Sequence, residues 1–209
     1  MKMHLKLGIV FLLAGSLGGC ALANVASDPA PQLFTLTSAH PNAAGTAATP
    51  TAQILVDDFS ATAAVDTARI VFQPSANELK YYADARWTDR APQMIQTLMI
   101  ETLENSGRFA SVAARGSEIR GDYVLKGDIR QFAAEANGEQ TTVRIDFFTR
   151  LVRIGDRSIV ASRDFNVTVP VTGSGIASVV AAYDAALRQN LSEIMLWTLA
   201  ETAKAPVVK

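Results

Sequence analysis

The sequence predicts an α+β domain in which antiparallel strands fall into two halves, each covered by an amphipathic helix. Three observations carry this. Strand-type runs recur in two blocks, Gln53 to Ala83 and Tyr123 to Val169, and a helical apolar pattern follows each block. Within the second block, Asn137-Gly138 supplies the residues of a tight hairpin turn.

Taken in order, Gln32-Leu33-Phe34-Thr35-Leu36-Thr37 predicts a short strand. Strand signals follow from Gln53 to Phe59, at Arg69-Ile70-Val71-Phe72 and from Leu79 to Ala83, with Pro74-Ser75-Ala76-Asn77 as the turn between the last two. Pro92 suits a first helical turn, and Ile95, Leu98, Met99, Thr102 and Leu103 share one helical face before Asn105-Ser106-Gly107 ends it. Phe109 and Val112 begin a further strand. In the second half, Tyr123, Leu125 and Ile129 alternate with Lys126, Asp128 and Arg130. Beyond the hairpin, Val143, Ile145, Phe147 and Leu151 alternate with Thr142, Arg144, Asp146 and Arg150, and Gly155-Asp156 turns the chain into Ile159 to Val169. This pattern is that of an antiparallel meander with one wet face. A closing helix from about Ile176 to Leu199 carries Ile176, Val180, Tyr183, Leu187, Leu191, Ile194 and Thr198 at near-heptad spacing.

The N-terminus is read as an export signal. Met1, Lys2 and Lys6 give a positive start, and the apolar run Leu7–Leu17 is too short to span a bilayer but long enough for a signal-peptide core. Leu17-Gly18-Gly19-Cys20 closes it and resembles the lipobox of bacterial lipoproteins, in which the cysteine carries a diacylglyceride. Cys20 is the sole cysteine of the chain, so no intramolecular disulfide is available to it. Several acyl chains on one residue hold a protein to a bilayer where one alone holds marginally. Ala21, in place of an aspartate, points to the outer membrane. The expected organisation is a signal over residues 1–19, a lipidated tether over 20–31, one domain over 32–200 with a flexible Ala/Thr/Pro loop at about 39–52, and a disordered tail over 201–209.

Charge and residue types narrow the chemistry. The chain has 19 Lys and Arg against 20 Asp and Glu, and loss of the signal removes two lysines, which excludes an electrostatically driven nucleic-acid binder. Of its two histidines, His4 leaves with the signal and His40 falls in the flexible loop, so Ser-His-Asp, Cys-His and Cys/His metal constellations cannot be assembled. Asp57-Asp58 would point to opposite faces of a strand. Gly173-Ser174-Gly175 lacks the third glycine of a phosphate-binding turn and reads as a helix entry with Ser174 near the cap. The expectation is a protein with no catalytic residue, no metal and no cofactor beyond the covalent lipid on Cys20.

Tyr81, Tyr82, Arg86 and Trp87 form the most informative cluster. Two readings stay open: a core patch that docks a hairpin on the first helix, and a partner-contact surface, since Trp, Tyr and Arg are enriched at binding hot spots.

Phe34-Thr35-Leu36, Arg69-Ile70-Val71-Phe72, Tyr81-Tyr82 with Trp87, Pro92, Leu98, Leu103, Ser106-Gly107-Arg108-Phe109, Val112, Asp122-Tyr123-Val124-Leu125 and Val169-Pro170 together resemble the ABC-type transport auxiliary lipoproteins, the PqiC-like family associated with MCE-domain intermembrane lipid transport. The stretch from Trp87 to Pro92 and the Ala/Thr/Pro loop are longer than the family pattern. The resemblance implies a non-catalytic partner of an MCE-domain protein and its ABC permease and ATPase, a docking point at the outer membrane, and a possible ring of subunits. Two other readings compete: a lipopolysaccharide-assembly lipoprotein that partners an outer-membrane barrel, and a periplasmic lipid-binding carrier.

Overall fold

Among the described residues nine strands share one mixed sheet, and two helices pack on it. The structure, a computed structural model, describes residues 30–41 and 52–205. Leu17, Gly18, Gly19 and Cys20, most of the expected tether and the greater part of the Ala/Thr/Pro loop lie outside the described residues. In chain order the elements are β1 (Gln32–Phe34), β2 (Gln53–Val56), β3 (Ser60–Ala61), β4 (Arg69–Ser75), β5 (Glu78–Trp87), α1 (Ala91–Asn105), β6 (Ser111–Ala114), β7 (Tyr123–Asn137), β8 (Gln140–Arg153), β9 (Ile159–Pro170) and α2 (Ile176–Lys204).

The α+β class is as the sequence predicts, and β7, β8 and β9 form the expected antiparallel meander. The loop between β7 and β8 is Gly138-Glu139, one residue beyond the expected Asn137-Gly138, because Asn137 ends β7 opposite Gln140; Gly138 takes φ +63°, which glycine supplies without steric cost. The strands of the first half do not form a separate antiparallel group. The strands β2, β3 and β4 each run parallel to β7, with Ile54 opposite Tyr123, Ser60 opposite Asp128 and Phe72 opposite Ala134. The β7 strand is long enough to take them in succession along one edge while β8 occupies the other. Beyond β4 lie β5, antiparallel, and then β1, parallel.

The core lies between the sheet and the helices. All five apolar-face positions expected of α1 are buried, and Pro92 sits in its first turn. From α2, Tyr183, Leu187, Leu191 and Ile194 meet Ile145, Phe147 and Phe165 in the same apolar cluster. The N-cap of α2 is Gly175 at φ +80°, with no side-chain cap, so Ser174 does not cap this helix. The expected tail after residue 200 is corrected at its start. The helix continues to Lys204, and the buried Thr202 returns its hydroxyl to the Thr198 carbonyl at 3.0 Å. The beginning of the expected loop is likewise held in place. Ala39 is buried and its N–H donates to Thr102 Oγ1 at 3.0 Å, while Thr37 donates its N–H and hydroxyl to Asp184 Oδ1 at 2.8 and 2.7 Å.

Candidate interaction surface

The aromatic cluster read from sequence is divided by the fold. Trp87 is in the core, its ring 5.1 Å from that of Tyr183 and 6.1 Å from that of Phe132. Tyr82 packs against the same core beside Phe72, at 5.8 Å between rings, and burial pushes its hydroxyl pKa upward. Tyr81, its neighbour in β5, takes the other side. Arg69 stacks on the Tyr81 ring at 3.5 Å, and the Tyr81 hydroxyl donates to the Ala64 carbonyl at 3.1 Å. Arg86 is exposed, aligned with Arg69 on one side and with Leu33, 65% exposed, on the other. The fold therefore separates the members of the cluster. Trp87 and Tyr82 are packing residues, whereas Tyr81, Arg86 and the unanticipated Arg69 and Leu33 remain at the surface near the β1 edge.

A second surface comes from the meander. Helix α2 packs on one face of β7–β9, and the alternation that sends Val143, Ile145, Phe147 and Leu151 inward sends polar residues outward. They form rows across three strands. Asp128, Phe148 and Asp164 are in register. Arg150 and Arg130 lie over the Phe148 ring at 4.3 and 4.4 Å. Arg150 pairs with Asp128 at 2.6 Å, and Arg130 pairs with Asp164. Asp128 also accepts from the Ser60 hydroxyl, and that bond, followed by Arg150, holds its carboxyl below the usual range. A further row joins Arg144 and Asn166 to Asp146 at 3.2 and 3.1 Å. Exposed ion pairs contribute about 1 kcal/mol or less each, so these rows serve less to hold the fold than to fix the charge pattern of the face.

At the start of β7 this face opens into a cleft of about 390 Å³, lined by Val124, Val152 and Ile154 and rimmed by Arg115, Lys126, Arg153 and Arg157. Asp57 answers Lys126 at 2.9 Å and Arg115 at 3.4 Å; its neighbour Asp58 is exposed, so the adjacent carboxylates do not act as a pair. In the β8–β9 turn, Asp156 accepts from the Ser158 N–H at 3.0 Å and hydroxyl at 2.7 Å, with Arg153 at 3.2 Å, and its carboxyl pKa is lowered to about 2. Sequence reasoning missed the cleft, whose cations come from four separated positions in the chain.

His40 is exposed, and among the described residues no group of three or more His, Cys, Asp or Glu is arranged to hold a metal ion. Among these residues, too, no helix is long and apolar enough to cross a membrane.

The fold defines the class: an α+β domain with one sheet face turned to the helices and one bearing paired charges. The chain belongs to the ABC-type transport auxiliary lipoprotein component family, whose model matches residues 34–195. It is similar to the crystal structure of protein XCC0632 from Xanthomonas campestris, with 32% identity, a TM-score of 0.77, and coverage of 83% of this chain and 97% of that one. A second crystal structure, of an uncharacterized protein, shares the fold at 14% identity and a TM-score of 0.63, over 81% of this chain and 99% of that one. An uncharacterized protein of Bradyrhizobium diazoefficiens is 32% identical over 189 residues, which are 90% of this chain. The chain spans half the length of that curated relative.

Proposed function

We propose that this chain is a non-catalytic lipoprotein that fastens the periplasmic MCE-domain component of an intermembrane phospholipid transport system to the outer membrane. The family match over residues 34–195, together with Leu17-Gly18-Gly19-Cys20, carries the reading. Acyl chains on Cys20 anchor the domain, and the residues before β1 serve as its tether. The folded part supplies the contact surface, either as a single copy or as a ring of copies. The associated permease and ATPase lie across the periplasm and supply the energy, so this chain has binding work and no reaction to perform. Its loss would weaken the envelope barrier.

Tyr81, Arg69 and Arg86 suit partner contact. Arginine and tyrosine are enriched among binding hot spots, and Leu33 adds an apolar group beside them. The test is affinity purification of the full chain from its own cells. Recovery of an MCE-domain protein, lost on Arg86→Glu while the chain stays folded, is the expected result. Recovery of an outer-membrane barrel protein in its place, or of no MCE-domain protein, overturns the reading.

A further inference from the structure

We infer that the cleft at the start of β7 is a binding site for the headgroup phosphate of an anionic phospholipid, with Arg157 as its principal anion contact. The lining is divided by chemistry. Val124 and Val152 stand opposite each other in the β7–β8 register and continue into Ile154, giving an apolar wall, whereas every polar residue of the lining is a cation. Asp57 and Asp156 answer three of the four cations. Arg157 is exposed and has no side-chain partner among the described residues.

Arg157 is also the one described non-glycine residue at positive φ, +60°. The left-handed conformation is costly for a side chain with a Cβ, and a glycine or asparagine would be the ordinary choice in this turn. The neighbouring Asp156 bonds to Ser158 and Arg153 hold the turn in shape. An arginine kept at a strained position, over a fixed turn and beside a cleft, is an anion contact set up in advance.

The wall decides which anion. A free inorganic phosphate has no apolar part to bury against Val124, Val152 and Ile154. An acidic peptide would bring backbone polar groups against the valines without partners. A phospholipid offers a phosphate for the arginines and an ester-linked chain for the wall. The choice of a lipid source rests on the reading that Cys20 tethers the domain beside a bilayer.

The test uses the full chain, purified in non-ionic detergent and titrated calorimetrically with dihexanoylphosphatidylglycerol, dihexanoylphosphatidylcholine, inorganic phosphate and hexaglutamate. Saturable binding of the phosphatidylglycerol is expected, stronger than that of the other three. Arg157→Gln should weaken it about tenfold, the loss of one charged hydrogen-bonding group. Arg163→Gln, on β9 with its guanidinium over Phe165, should leave it unchanged. Arg157→Gly separates binding from folding, since it relieves the strained backbone and so should raise the melting temperature while losing affinity. Equal binding of phosphate or hexaglutamate, no saturable binding, or equal weakening by Arg163→Gln each overturns the inference. Intact mass reports separately on the anchor: a chain without acyl groups sinks the tether reading, whereas an acylated chain that ignores phosphatidylglycerol sinks this inference alone.

Discussion

Tyr183, in the first third of α2, donates its hydroxyl to the backbone carbonyl of Val71 in β4 at 2.9 Å, joining the last helix to the early strands across the core. The hydroxyl is fully buried, and burial pushes its pKa well above the ordinary tyrosine value, so at neutral pH it is a protonated donor. Its ring sits 5.1 Å from that of Trp87 and 5.0 Å from that of Phe132. Tyr183→Phe should keep the ring contacts and lose the hydrogen bond, lowering stability by about 1–2 kcal/mol. Tyr183→Ala should cost about 3–5 kcal/mol, because it also leaves a cavity. Urea denaturation of the two variants checks the difference.

Gly127 is required for packing. A Cβ there would lie 2.2 Å from the Phe59 ring, which covers the strand and meets Phe147 edge-on at 5.5 Å. Gly127→Ala should therefore displace Phe59 and cost about 1–3 kcal/mol. The double variant Gly127→Ala with Phe59→Leu should recover part of that loss, and thermal melts of both decide it.

Thr149 points into the core of β8, where its hydroxyl has no hydrogen-bond partner among the described residues. Thr149→Val removes an unanswered polar group and keeps the shape, so it should raise stability by about 1 kcal/mol. A loss of stability would mean that a buried water answers the hydroxyl, and the melting temperature shows which holds.

The strand pattern that exposes these positions was legible in the sequence for the meander. Val143, Ile145, Phe147 and Leu151 mark the inward face, a pattern of residue types interrupted only where Phe148 turns outward and Thr149 inward, and α1 shows its buried face through Ile95, Leu98, Met99, Thr102 and Leu103. The parallel attachment of β2, β3 and β4 to β7 was not legible, because such pairing joins segments distant in the chain and leaves no hairpin turn as a local mark. The division of Tyr81 from Trp87 was hidden for a different reason. Between the aligned pairs Val71–Tyr81 and Arg69–Arg86 the strand β5 uses more residues than β4, and this irregularity breaks the simple alternation that would have assigned the faces. Arg157 could have been found from its turn, since Gly155-Asp156 marked the bend, but its backbone angle and the three cations beside it belong to the fold.

Two carboxylates give a pH dependence whose sign is fixed. The Asp156 pKa is lowered to about 2, mainly by the Ser158 N–H and hydroxyl, and the Asp128 pKa is lowered first by the Ser60 hydroxyl. Their folded-state values lie below the unfolded ones, so the stability they contribute is present above about pH 4 and is lost as pH falls through the folded values. Carboxyl NMR titration should place the Asp156 midpoint near 2. In Asp156→Asn the stability curve should be flatter below pH 4, and an unchanged slope would contradict the assignment.

On the proposed function, lipid attached at Cys20 would make the folded domain a stationary partner and not a diffusing one. The direct measurement is the intact mass of the chain extracted from membranes, compared with that of Cys20→Ser. The account predicts a polypeptide beginning at Cys20 that carries acyl groups, and a Cys20→Ser product that keeps its signal and has no acyl mass. A wild-type product with an unmodified Cys20, whether cleaved elsewhere or not cleaved at all, would contradict it.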